Sequence, residues 1–573
     1  MTQNSSSVAK RRRLLLIPLA IACLIAFIAG AAVAGGSAER DAAERFGAAW
    51  ADGDYGSMYD ELNPDSQSRV SRDDFEAAYG EAMATATATD LAIDDVSGPD
   101  DVNGEDIVTL ATTVHTNAFG EVTADVHVPV ADGGVSWQPN LVFPGLAEGD
   151  KLVADTKLGK RAPILAADGS VLASGPASAR VTNGSGGIVT GETGAPGKKL
   201  AERVAKLGYP EDVEMGTSGL ELAFDSTLAG TPGGKLLAVG KGGKAVLAKR
   251  APTPGEPLKT TIDAKLQDAT AAALGSTFGG AAVLDARNGN VLALAGLAFS
   301  APQPPGSTFK VITASAALED GKTKLDEQFP VETSTVAGGR EIANAHDEAC
   351  GGDLVESFAH SCNTVFAPLG VRVGGDKLVE ESEQYGFNSP PTIYNPNSLA
   401  LTRPPESTIP NPLEDDTDVA VSAIGQGEVL ATPLEMAAVS QAVANRGVRS
   451  PNAMVKDPEL AGGYPDVEVM PPGVAADVKK MMIAVVASGT GSSAALPDAT
   501  VAGKTGTAEL GTVDGSQPVT PGEDAEQDVD AWFTAFAPAD NPKLAVAVMV
   551  VNAPGDGGTV AAPIARQILE AGL

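Results

Sequence analysis

Histidine and cysteine are scarce, with four His and three Cys in 573 residues, which argues against a dense metal cluster. Positive charge is short as well: 40 basic face 74 acidic side chains, for a net charge of −34. A surface of that sign repels phosphate backbones, so no nucleic acid is expected as a partner. No cofactor is expected either. The length leaves room for three or four domains, each able to bury its own core.

The N-terminus holds Lys10-Arg11-Arg12-Arg13 and then an uncharged run from Leu14 to Ala34. That run is long enough to span a bilayer, and the basic flank should stay cytoplasmic. A cleaved signal peptide is the rival reading, because Ala32-Val33-Ala34 fits an A-x-A processing site, and a lipoprotein signal at Cys23 is a third. The apolar run is long for a signal core, which favours a retained anchor. All three readings place the bulk of the chain outside the cytoplasm. The expectation is a cytoplasmic tail over residues 1–13, a transmembrane anchor over 14–36, and a single-pass protein of the cell membrane.

Residues 37–150 read as a small α+β domain. Phe46, Trp50, Tyr55 and Tyr59 mark a helical pattern between Ala42 and Leu62, a second helix is expected around Phe75 to Met83, and Ile107 to Val130 is rich in β-branched residues. Residues 151–256 are rich in glycine and polar residues with short strand candidates, as in a β-rich module. From Thr260 the character changes. A helix is expected from Ala264 to Leu274, then strands at Gly280–Asp285 and Val291–Ala295 around Asn288-Gly289, a preferred hairpin turn pair. The last region, 257–573, is expected to hold an antiparallel sheet with helices against it.

The chemistry is expected at Gly306-Ser307-Thr308-Phe309-Lys310. On a helix Lys310 lies one turn beyond Ser307 and on the same side, which pairs a hydroxyl with a base. An unaided serine is a poor nucleophile, and a desolvated lysine can take its proton. The spacing alone is weak: Ser7 to Lys10 repeats it, and Gly275-Ser276-Thr277-Phe278-Gly279 repeats the local sequence without the base. Two more motifs follow. Ser361-Cys362-Asn363 lies within a stretch of helical character, Leu354 to Val371, and Lys504-Thr505-Gly506-Thr507 precedes a probable hairpin. Each is worth little by itself, and Ser450-Pro451-Asn452 is a decoy. In this order and these settings they reinforce one another.

Together the three motifs resemble those of the penicillin-binding protein and serine β-lactamase superfamily. Gly425-Gln426-Gly427, Thr432-Pro433-Leu434-Glu435-Met436 and Ala531–Pro538 resemble further transpeptidase segments. Residues 37–150, closing on Trp137–Pro144, resemble a nuclear-transport-factor-2-like domain. Gly216–Glu221 and Leu228-Ala229-Gly230 resemble the end of a pedestal or dimerisation module, in which Arg161–Gly169 stands where the family usually has an Arg-Gly and an Asp-Arg pair. With no glycosyltransferase module ahead, the resemblance is to class B. It implies a multi-domain α+β architecture: an N-terminal transmembrane helix, a small α+β cone domain, a β-rich pedestal, and a transpeptidase domain with a central antiparallel sheet flanked by helices.

The resemblance also implies roles. Ser307 would attack the penultimate D-Ala carbonyl of a stem peptide, Lys310 would take its proton, and Ser361 and Lys504 would relay it to the departing D-Ala. Asn363 would bind the substrate amide and help fix Lys310. Backbone N–H groups of Ser307 and Thr507 would form the oxyanion hole, Gly506 would leave room for a substrate lying along the strand, and Thr505 and Thr507 would hold the substrate carboxylate. Stem peptides and β-lactams are the implied ligands, and a polytopic glycan polymerase or a division or elongation complex the implied partner. A D,D-carboxypeptidase, a β-lactamase and a non-catalytic β-lactam-binding scaffold are the competing readings. Cys350 and Cys362 are a candidate disulfide, favoured by an oxidising exterior and a short loop. Free thiols, or a metal site with His346 and His360, are the alternatives.

Overall fold

The computed structural model describes residues 38–393, 398–399, 403–509 and 529–573. The chain divides into two compact units. The first comprises residues up to Lys157 together with Glu202–Pro210 and Pro232–Pro252. Helices α1 (Ala38–Ala51) and α2 (Arg72–Thr85) cover an antiparallel sheet in the order β1 (Ala88–Val102), β2 (Glu105–Thr116), β3 (Gly120–Ala131), extended by Gly134–Val135. The Ser71 side chain caps α2 by accepting from Asp74 N–H, and Asp73 and Asp74 suit the positive end of that helix. In β2, Val108, Leu110 and Val114 alternate inward, where they meet Phe46, Trp50, Phe75 and Tyr79. A second antiparallel sheet of this unit, in the order β6-β5-β4, uses β4 (Lys151–Lys157), β5 (Gly233–Gly240) and β6 (Gly243–Arg250). Residues 151–256 therefore contribute to both units.

The second unit is built on a five-stranded antiparallel sheet. It contains β7 (Gly279–Asp285), β8 (Val291–Gly296), β9 (Ala502–Glu509), β10 (Val529–Ala537) and β11 (Leu544–Ala553), in the order β8-β7-β11-β10-β9. Gly289, at φ +72°, makes the turn between β7 and β8 that the Asn-Gly pair predicts. The central strands are buried on both faces because helices cover both. Val283, Val546 and Val548 pack with Leu266 of α3 (Ala264–Leu274) and with Ile568 and Leu569 of the C-terminal helix Ala562–Gly572. Leu284, Ala547 and Met549 point the other way. They share a core with α4 (Lys310–Glu319), α8 (Pro433–Ala444) and α9 (Pro472–Ala487). Between α4 and α8 run α5 (Leu354–Ala359), α6 (Asn363–Val373) and α7 (Gly375–Tyr385).

In the same unit, Arg161 donates to Glu221 at 2.6 Å and to Asp225 at 2.7 Å, and Arg180 donates to the other Glu221 oxygen at 2.6 Å. A buried ion-pair cluster is thus present here although the Asp-Arg pair is not.

One expectation is corrected. Among the described residues no helix is long and apolar enough to cross a membrane. The longest of them, α9, has 16 residues, about 24 Å at 1.5 Å per residue, against a hydrocarbon core of about 30 Å. The expected transmembrane helix at residues 14–36 lies outside the described residues. Among the described residues the fold is therefore multi-domain α+β with no helix able to cross a membrane, and the single-pass membrane localisation is not supported.

Candidate active site

Ser307 sits in a single 3₁₀ turn, Gly306–Phe309, that runs directly into α4. Glycine is required on both sides of this turn. Gly306 has φ +52°, and a Cβ there would stand 2.7 Å from Thr507 O. A Cβ on Gly506 would stand 2.6 Å from Pro305 O. The two glycines let the Ser307 turn lie against β9 backbone to backbone, so the open space that Gly506 leaves is occupied by that turn. Gly306 N–H donates to Gly425 O at 2.9 Å, which ties the Gly425-Gln426-Gly427 segment to the same place.

The stretch Leu354–Val371, which reads as one helical region, is broken at its functional residue. α5 ends at Ala359, Ser361 adopts φ +61°, and α6 begins at Asn363. This left-handed step directs Ser361 and Asn363 towards α4. Asn344 Oδ1 accepts from Thr364 N–H at 3.0 Å and so caps the first turn of α6. Cys350 and Cys362 are bonded through sulfur, with Cα atoms 5.4 Å apart, which closes the loop immediately before Asn363. Among the described residues no group of three or more His, Cys, Asp or Glu could hold a metal.

The three motifs meet at two buried amines. Lys310 Nζ lies 2.9 Å from Ser307 Oγ, 2.7 Å from Ser361 O, 2.6 Å from Asn363 Oδ1 and 3.3 Å from Ser361 Oγ. Asn363 Nδ2 donates to Ala343 O at 2.9 Å, which fixes the amide so that its oxygen faces the lysine. Ser361 O and Asn363 Oδ1 can only accept. They take two N–H donors of Lys310, and its remaining position faces Ser307 Oγ. A neutral amine in this place would turn its lone pair to the serine hydroxyl. Lys504 Nζ lies 2.9 Å from Ser361 Oγ and 3.0 Å from Thr505 O.

Both lysines are fully buried, whereas Ser307, Ser361, Asn363 and Thr507 are partly exposed. Reachable hydroxyls therefore lie over sequestered bases. Burial first, and the charge of Lys504 second, hold Lys310 well below the ordinary lysine range. Burial pulls Lys504 down to about 7. The ring of Phe366 lies 5.8 Å from Lys310 Nζ and that of Phe358 lies 5.5 Å from Lys504 Nζ, so each amine keeps one weak cation partner in an otherwise apolar wall.

The hydroxyls of the K-T-G-T strand go elsewhere. Thr505 Oγ1 lies 2.6 Å from Thr490 Oγ1, and Thr507 Oγ1 accepts from Gly557 N–H at 3.4 Å. Thr490, Asn344, Phe358 and Phe366 belong to no motif that the sequence singles out. For the two phenylalanines a signal exists in hindsight, since they flank Ser361-Cys362-Asn363 on both sides.

Residues 279–570 match the penicillin binding protein transpeptidase domain, residues 38–150 the NTF2-like N-terminal transpeptidase domain, and residues 181–260 the penicillin-binding protein dimerisation domain. The chain is 37% identical over 295 residues to peptidoglycan D,D-transpeptidase PbpA of Mycobacterium tuberculosis, an alignment that covers 48% of this chain and 56% of the relative. The chain thus spans about half the length of the curated relatives it matches. Among solved structures, penicillin-binding protein A from M. tuberculosis as its penicillin G acyl-enzyme complex is 28% identical, with TM-score 0.55 over 72% of this chain and 99% of that one. Penicillin-binding protein 3 from M. tuberculosis in complex with aztreonam is 26% identical, with TM-score 0.57 over 73% and 96%. With a family match over more than half its residues and the three motifs converging on one serine, the chain belongs to the penicillin-binding protein transpeptidase family, of the class B type with an NTF2-like N-terminal domain.

Proposed function

We propose that the chain is a peptidoglycan D,D-transpeptidase that works through a Ser307 acyl-enzyme and is acylated by β-lactams at the same oxygen. The observation that carries this reading is the state of Lys310: buried, with two N–H donors committed to carbonyl oxygens and 2.9 Å from Ser307 Oγ. In the first half-reaction the Ser307 Oγ–carbonyl bond forms and the D-Ala–D-Ala amide bond breaks. The serine proton passes to Lys310 and, through Ser361 and Lys504, to the nitrogen of the departing D-Ala. In the second, the amine of a neighbouring stem peptide attacks the ester and Ser307 recovers a proton. Asn363 offers its amide to the substrate, and the N–H groups of Ser307 and Thr507 receive the oxyanion, each worth about 3–4 kcal/mol at such sites. Thr505 and Thr507 receive the terminal carboxylate. A glycan polymerase that supplies the strands is the partner this reading calls for.

The test is an intact-mass time course with benzylpenicillin beside a Ser307→Ala variant, followed by a cross-linking assay with stem-peptide substrates. A long-lived adduct on Ser307 together with cross-linked product supports the reading. An adduct that clears in step with penicillin hydrolysis replaces it with a β-lactamase, and no adduct together with no cross-linking overturns it.

A further inference from the structure

The left-handed step at Ser361 brings two aromatic rings to the two buried amines. Phe358 belongs to α5, before the step, and Phe366 to α6, after it. On one unbroken helix residues at that spacing would stand about 12 Å apart along the axis. The break folds them together instead: both rings are fully buried and meet edge to face, with centroids 5.7 Å apart and an interplanar angle of 65°. Lys310 Nζ stands over the Phe366 ring at 5.8 Å from its centre, and Lys504 Nζ over the Phe358 ring at 5.5 Å. One aromatic pair therefore underlies both lysines, one ring to each.

The face of an aromatic ring is its negative part, so a ring beneath an amine favours the ammonium over the neutral form, most where water is excluded. Among the described residues no carboxylate lies within hydrogen-bond reach of either lysine. The charge that bears on Lys310, from α4, is that of Lys504 on β9, and burial alone bears on Lys504. Ser307, Ser361, Asn363 and Thr505 offer neutral oxygens, and none of them titrates near neutral pH. The two rings are thus placed to favour charge on these amines where no anion does so.

We propose that Phe358 and Phe366 are positioning residues for the protons of the site: the Phe358 face holds the proton on Lys504, and the Phe366 face receives the one that Lys310 takes from Ser307. The inference rests on the transpeptidase reading and adds to it two residues outside the three motifs. Because each ring serves one amine, the two separate in a pH profile. Weakening the Phe358 face lets the Lys504 proton leave at lower pH, so the alkaline limb moves down. Weakening the Phe366 face frees Lys310 as a base at lower pH, so the acid limb moves down.

The test places a ring-trifluorinated phenylalanine at position 358 or 366 of the full chain. Fluorine nearly keeps the shape of the ring and withdraws the electron density of its face. Acylation by benzylpenicillin is then followed by stopped flow across both limbs of the profile. Each substitution should move its own limb down by about half a pH unit, the size of one cation–π contact, and leave the other limb in place. A singly fluorinated ring at the same position should move that limb in the same direction by less. Limbs that stay in place, limbs that move together from either position, an upward shift, or one constant loss of rate at every pH would each overturn the proposal while leaving Ser307 acylation intact. A wild-type chain that forms no adduct at all defeats the transpeptidase reading itself and this inference with it.

Discussion

Replacing Asn363 by aspartate puts a negative charge at the acceptor nearest to the proposed base. The Asn363 Oδ1 to Lys310 Nζ distance is 2.6 Å. At an effective dielectric constant near 20 a unit charge pair at that separation is worth about 6 kcal/mol, an upper bound, or about four pKa units at 1.36 kcal/mol each. The new carboxylate is itself desolvated and faces Ala343 O, to which the asparagine donates at 2.9 Å. Those two costs offset part of the gain, so an upward shift of at least about two units in the Lys310 titration is expected. Lys310 then stays protonated through neutral pH and cannot accept the Ser307 proton. In stopped-flow acylation by a fluorescent penicillin, Asn363→Asp should be slowed about 100-fold near pH 7. It should regain about tenfold per pH unit on the alkaline side, with its acid limb displaced upward. Asn363→Ala removes the same acceptor without adding charge and should be slowed with its acid limb unmoved. If both variants lose one constant factor at every pH, Lys310 is not the titrating base and the reasoning fails.

Gly506→Ala should displace the Ser307 turn, because the new Cβ would stand 2.6 Å from Pro305 O. Acylation should fall on the order of 100-fold, with the far-ultraviolet circular dichroism unchanged. Reducing the Cys350–Cys362 bond, whose partners are 12 residues apart, should lower stability by about 3 kcal/mol on the loop-entropy relation. Urea unfolding with and without reductant measures it, and equal midpoints would refute it. Glu381 is buried with Lys377 Nζ 3.5 Å from one carboxylate oxygen, and burial, with Glu319 beside it, outweighs that amine and pushes it up to about 8. A carboxyl whose folded pKa lies above its unfolded value contributes fully below the unfolded pKa and loses that contribution as pH rises through the folded one. Glu381→Leu should therefore match wild type near pH 4 and exceed it by about 1–4 kcal/mol at pH 8, as read by urea unfolding at the two pH values.

Spacing placed Lys310 beside Ser307, as the 2.9 Å separation shows, because i and i+3 on a helical turn lie on one side. Asn288-Gly289 fixed a turn in the same local way. What escaped depends on backbone states and contacts that local patterns do not encode. Leu354–Val371 has the composition of a continuous helix, and no residue in it announces the left-handed Ser361, which is sustained by Lys310, Lys504 and the Cys350–Cys362 bond around it. Thr490 lies 15 residues from Thr505 and looks like an ordinary turn residue. Arg180 reaches Glu221 at 2.6 Å from a segment that no motif marks. The buried carboxylates Glu221 and Asp225 need compensating charge wherever it can come from.

The two lysines are best understood as one titrating pair. Among the described residues neither has a carboxylate within hydrogen-bond reach, and both lose hydration by burial, so two full charges on them would be costly. The charge of Lys504 further lowers Lys310, and Lys504 itself sits at about 7. Burial lowers both amines, and Lys310 the further of the two, so of the pair Lys504 is the readier to carry a proton. Lys504 Nζ faces Ser361 Oγ and Thr505 O, both able to accept its protons. Lys310 Nζ has its donors committed to two carbonyl oxygens and a hydroxyl proton in front of its lone pair. This fits the proposed roles, a base at Lys310 beside Ser307 and an acid at Lys504 beside Ser361. Ser361 Oγ lies 3.3 Å from one amine and 2.9 Å from the other. In the proposed mechanism a proton taken from Ser307 would reach the leaving nitrogen as Lys504 gives up its own through Ser361, so the pair need not carry two full charges.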